Sequence, residues 1–179
     1  MAKSKQGLYI PSNINKFINV VKQCKYRSSW ELAFFKYCDK ASYILKWGSE
    51  CIQIPYITRD WDKIARKYVN RKHIYYPDLF IQQIQHGRIS NLIVEIKPYN
   101  EAKYWIDRIK YEKPERTEFK TIKSYKYSLA TYCKNMAKWT YVKKCIDNSN
   151  RKLSESKSNH TWEFHIWSEK FLNKSKKKG

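Results

Sequence analysis

Two acids and one base stand out by type and spacing. Asp78 closes the run Tyr75-Tyr76-Pro77-Asp78, and Glu95 is followed two places on by Lys97 in Glu95-Ile96-Lys97. Between them lie two segments rich in Ile, Leu, Val and Phe, joined at His86-Gly87, and a two-residue loop carrying Gly is a β-hairpin signal. With that pair at the turn Gln85 faces Arg88. Counting back along both strands then brings Asp78 opposite Glu95 and Tyr76 opposite Lys97. Opposed residues of an antiparallel pair share a face, with Cβ atoms roughly 5 Å apart, so the two carboxylates can reach one cation. The register is a strong constraint, because a slip of one residue sends the acids to opposite faces.

Paired carboxylates on an otherwise apolar hairpin cost stability unless a counter-ion neutralises them. Hard oxygen donors suit Mg²⁺, which takes one or two carboxylates and keeps its other positions for water and phosphate oxygens; Mn²⁺ is expected to substitute. Lys97 adds positive charge where a phosphate would develop negative charge. The plain alternative is a polar strand edge with a chance Glu/Lys pair.

The elements that must hold this hairpin are legible on either side of it. In Y-R-S-S-W-E-L-A-F-F-K-Y-C-D-K-A, residues Trp30, Ala33, Phe34, Tyr37 and Ala41 recur at helical spacing and form one apolar face. Ser28 followed by Glu31 is a capping-box pattern that starts this helix. Glu31 is therefore open to two readings, a cap or a third acid directed at the same cation. Strand signals follow at 43–47 and 52–57. The basic stretch 58–72 is expected as a short helix or extended loop on the substrate side, or as a solvated insertion. Leu129, Ala130, Cys133, Met136, Ala137 and Thr140 trace a second helix whose other side carries Lys126, Lys134, Lys138 and Lys143. The mixed-charge stretch 99–125 is expected as a mobile or partly helical connection, either a clamping loop or a spacer. Residues 148–159 read as a Ser/Asn/Lys linker, and Trp162, Phe164 and Ile166 as a last strand. The expected fold is α/β, a central mixed β-sheet flanked by helices. It divides into an N-terminal arm (1–25) with a short helix after Asn13 or Asn15, one domain (26–172), and a basic disordered tail (173–179).

Bulk properties restrict the partner. The 179 residues suffice for one domain with a real core. Lys and Arg number 37 against 16 Asp and Glu, a formal charge of +21. Such an excess destabilises a compact chain by self-repulsion and implies a polyanionic partner, with nucleic acid first. The sequence has no long apolar run, signal peptide or lipidation motif, so no membrane partner is expected and the chain reads as soluble and intracellular. The five cysteines match no C-x-x-C pattern and the four histidines no H-E-x-x-H pattern, which argues for reduced, mostly core thiols and against zinc. The four scattered glycines exclude a nucleotide-binding loop.

Pro77-Asp78 with Glu95-Ile96-Lys97 resembles the PD-(D/E)xK nuclease signature. Several segments in order resemble the head-completion nuclease family of tailed phages within that superfamily. They are Y-I-P-S-N near the start, Y-R-S-S-W-E-L-A-F at 26–34, Y-Y-P-D-L-F, V-E-I-K-P, N-M-A-K-W at 135–139 and W-E-F-H-I-W-S-E at 162–169. The resemblance implies a restriction-endonuclease-like core and catalysis by Glu31, Asp78, Glu95 and Lys97. Asp78, Glu95 and Glu31 would hold Mg²⁺, and Arg27, Lys134, Asn135 and Lys138 would contact DNA or, for Asn135 and Lys138, support the site. It further implies hydrolysis of DNA phosphodiesters near the packaged end, phage head or portal proteins as partners, and a place in the host cell cytoplasm or virion. The stretches 58–72 and 99–125 are longer than expected of the family. Rival readings are a transposon-end or junction-resolving enzyme of the same superfamily, and a non-catalytic DNA-binding head-assembly protein.

Overall fold

Alternation along one central strand organises the molecule into layers. The computed structural model describes residues 6–85, 87–99 and 114–175. Strand β7 (Arg88–Ile96) sends Leu92, Val94 and Ile96 into one apolar cluster and Ile93 into another on the opposite face. Glu95 shares the parity of Ile93 and so faces the second layer. Strand β6 (Leu79–Gln85) pairs with β7 antiparallel from Leu79↔Val94 to Gln85↔Arg88, the register expected from the turn. Gly87, at φ 75°, takes a conformation that side chains resist. Strands β3 (Ile44–Ser49) and β8 (His160–Trp167) complete a four-stranded sheet of order β3-β6-β7-β8. β8 runs parallel to β7, making the sheet mixed as expected.

The first face is covered by helix α1 (Ser29–Lys40) and the N-terminal segment. Ser28 Oγ accepts from Glu31 N at 3.1 Å, so the cap forms as the sequence indicates. The helix buries Phe34, Phe35 and Cys38 against Trp47 and Leu79. The amino-terminal residues are drawn into this layer. Strand β1 (Gly7–Tyr9) pairs with β2 (Cys24–Tyr26), a turn joins Lys16 N to Asn13 O at 3.1 Å, and Phe17 lies 4.6 Å from the Trp47 ring. Truncating Phe17 to alanine would cost about 3–5 kcal/mol, as for other buried aromatics. Buried Asp39 fastens the same segment, accepting from Tyr9 Oη at 2.9 Å and from Ser12 N at 2.7 Å.

On the second face lie helix α2 (Ile122–Glu155) and a hairpin of β4 (Ile54–Asp62) with β5 (Lys67–Tyr75). The expectation of a helix or loop over 58–72 is corrected, because nine residue pairs form an uninterrupted antiparallel ladder. Its turn is built by Asp62, whose Oδ1 accepts from Ile64 N and Ala65 N, both at 2.9 Å, an Asx turn. The linker expected over 148–159 is corrected too, since α2 runs to Glu155. Asn150 sits on that helix and grips the edge of β8, donating to Trp162 O at 2.9 Å and accepting from Trp162 N at 2.7 Å. The inner face of α2 is Asn135, Trp139, Val142 and Ile146, rotated from the one the sequence indicates because Trp139 and Val142 dominate the burial. Helix α3 (Glu169–Ser175) takes up part of the expected tail, and 176–179 lie outside the described residues. Much of the expected connection over 99–125 also lies outside them. Cys24 and Cys38 are buried, but Cys133 and Cys145 are exposed on α2, contrary to a mostly core placement. No described helix is long and apolar enough to cross a membrane.

Candidate active site

The hairpin register delivers Asp78, Glu95 and Lys97 to the α2 side of the sheet. Asp78 immediately precedes β6, and its Oδ2 accepts from Ile96 N at 2.6 Å, prolonging the β6–β7 pairing by a side chain. Its Oδ1 has no hydrogen-bond partner among the described residues. Glu95 is 3% exposed; one oxygen lies 2.9 Å from Lys97 Nζ and the other accepts from the Tyr75 hydroxyl. Lys138 reaches in from α2, its Nζ 4.9 Å from the centre of the Tyr75 ring.

Electrostatics confirm that these groups sense one another. The Asp78 carboxyl is pushed up to about 7, first by burial and then by the charge of Glu95, with Glu31 adding to the rise. The Ile96 N–H and Lys97 act in the opposite direction. Burial and Glu95 hold the Tyr75 hydroxyl far above its usual range, so it stays protonated and can donate. Burial lowers Lys138, as do Lys97 and Lys134, while Glu95 and Asp78 oppose the change.

The remaining sequence candidates occupy distinct positions. Glu31 accepts from Arg27 N at 2.8 Å and from Ser28 Oγ at 3.1 Å. It therefore works in the cap, yet its charge registers at Asp78. Arg27 makes a two-pronged ion pair with Glu50 at 2.6 and 3.1 Å, within range of Glu31 and Asp78. Asn135 is buried on the inner face of α2. Exposed Lys134 lines a groove of about 600 Å³ between α2 and the β4–β5 hairpin, together with Thr58, His73 and Ala137. Sequence reasoning missed Tyr75 and Trp139, the indole of which also acts on the Tyr75 hydroxyl. Both lie inside matched motifs, Tyr75 in Y-Y-P-D-L-F and Trp139 in N-M-A-K-W, but neither carries a charge that would single it out.

Among the described residues no three His, Cys, Asp or Glu side chains converge as a metal-binding group. The acidic centre is the Asp78–Glu95 pair, whose hard oxygens fit a divalent cation such as Mg²⁺. The upward push on Asp78 comes first from burial and then from the charge of Glu95, and a cation between the two carboxylates would offset it.

A mixed sheet between helices, with acids and a lysine on its central hairpin, is compatible with a restriction-endonuclease-like fold. The chain is similar to the head completion nuclease of Enterobacteria phage T4, 29% identical over 133 residues that cover 74% of this chain and 77% of that protein. The resemblance to the phage head-completion nuclease family is supported by this relative. No family model matches the chain, and no solved structure matches it significantly.

Proposed function

We propose that this protein is a metal-dependent deoxyribonuclease that hydrolyses DNA phosphodiesters at or near the packaged end during phage head completion. The observation that carries the reading is the β6–β7 register, which sets Asp78 and Glu95 on one face with Lys97 Nζ 2.9 Å from Glu95. The name of the T4 relative supports the same activity and setting. Asp78 and Glu95, with Glu31 through water, would hold Mg²⁺, whose part is to polarise the scissile phosphate and lower the pKa of the attacking water. Tyr75 fixes Glu95 by donating to it. Lys97 would orient the water or stabilise charge in the transition state. Lys138 and Lys134 supply positive charge along α2 for the DNA backbone, and Arg27 does so beside the cap of α1. The setting implies action in the host cytoplasm or on the virion, beside head or portal proteins.

The test is cleavage of linear, circular, single-stranded and branched DNA in Mg²⁺ and in EDTA. Cleavage in Mg²⁺, lost in EDTA, is expected. Tight DNA binding with no cleavage of any form in Mg²⁺ or Mn²⁺ would give the role to a non-catalytic assembly protein.

A further inference from the structure

The β4–β5 hairpin has two unlike faces. Register pairs Arg59 with Asn70, Trp61 with Tyr68 and Ile57 with Lys72. Ile54, Tyr56 and Tyr75 at the base of one face are buried against the body, and farther out that face carries both acids of the ladder. Asp62 there pairs with Arg71 at 3.4 Å, and Asp60 lies 3.8 Å from His73. The opposite face is exposed along its whole length and holds no acid. It carries Arg59 and Lys72 among Ile57, Trp61, Tyr68 and Ile74, the last four between 40% and 59% exposed. Trp61 and Tyr68 meet edge to face at 5.2 Å, and the Arg59 guanidinium lies 5.3 Å from the Tyr68 ring.

Exposed aromatics beside unopposed cations are the combination with which proteins hold nucleic acid whose base faces are open. A nine-residue strand reaches about 30 Å, and this one ends at Tyr75, the residue that holds Glu95. We infer that the β4–β5 hairpin is a DNA-gripping arm, with Arg59 and Lys72 on phosphates and the Trp61–Tyr68 pair stacked on an exposed base, either an unpaired nucleotide or the terminal pair of a duplex. The chain's charge of +21 favours DNA over a protein partner for this face. The inference takes its partner from the proposed function but does not depend on cleavage.

The test is binding in EDTA of a labelled single strand, a blunt linear duplex and a covalently closed circular duplex. Trp61→Ala should weaken the single strand and the short blunt duplex by roughly 5- to 150-fold, the range for removal of a base–aromatic stack, and leave the closed circle nearly unchanged. Trp61→Leu, which preserves an apolar ladder position, should do the same at the parent's melting temperature. The double variant Arg59→Gln/Lys72→Gln should make the slope of log K against log salt shallower by roughly 0.7–0.9 for each phosphate left without its cation. Equal affinities in parent and variants would overturn the arm and leave a protein partner for this face, while parental cleavage in Mg²⁺ would leave the nuclease reading standing. Equal loss on all three DNAs would overturn the stacking. Weakened binding by the variants with no cleavage by the parent would keep the arm and sink the nuclease reading.

Discussion

Asp78→Asn should stabilise the metal-free protein, and do so more as the pH rises. An aspartate that ionises near 3.8 when unfolded and at about 7 when folded binds its proton more tightly in the native state. Between those values the native state holds more protons, so Asp78's contribution to stability is full below the unfolded value. It is lost progressively as pH rises to about 7. The gap corresponds to a cost of about 4 kcal/mol for the charged form at 1.36 kcal/mol per pH unit, of which about 2 accrues between roughly pH 5.5 and pH 8. Asparagine retains an acceptor for Ile96 N and carries no charge, so the variant isolates that cost. Urea unfolding of parent and variant in EDTA at both pH values measures it, and their difference cancels the titration of the histidines. The variant should be the more stable at both, by about 2 kcal/mol more at about pH 8. Saturating Mg²⁺ should raise the melting temperature of the parent far more than that of the variant. A difference that is flat with pH, or a variant less stable than the parent at the higher pH, would refute the placing of two repelling carboxylates in one buried site.

Lys97→Ala should leave DNA binding nearly intact and slow single-turnover cleavage by about 10²-fold or more, as for other deleted electrostatic stabilisers. Tyr75→Phe keeps the ring packed in its cluster but strips a donor from buried Glu95. It should cost about 1.5–3 kcal/mol in urea unfolding, and a neutral result would remove Tyr75 from the site. Glu31→Gln can still accept from Arg27 N and so should melt with the parent; abolished cleavage at unchanged melting temperature is expected, and unchanged cleavage would return Glu31 to the cap alone.

The hairpin was legible because its turn is a Gly-bearing pair between apolar strands, and counting from it fixes which residues meet. Legibility failed where composition masked periodicity. Arg, Lys and Asp obscure the alternation of 54–75, whose true signal is an exposed face next to a half-buried one. Asn and Ser over 148–155 resemble a linker, but Asn150 finds its partner in Trp162, a backbone that only tertiary structure brings near. For the same reason Tyr75 could not be assigned to Glu95: β5 lies outside the sheet that contains β7. The orientation of α2 was equally hidden, since its inner face is set by Trp139 and Val142 and not by the small residues from which it was drawn.

The claim that Asp78 and Glu95 together hold a divalent cation is tested most directly by an anomalous difference map from crystals soaked in Mn²⁺. A peak between the two carboxylates, within about 2.0–2.4 Å of an oxygen of each, and absent from Asp78→Asn crystals, is the predicted result. Saturating Mn²⁺ that supports cleavage while leaving no peak at either carboxylate would contradict it.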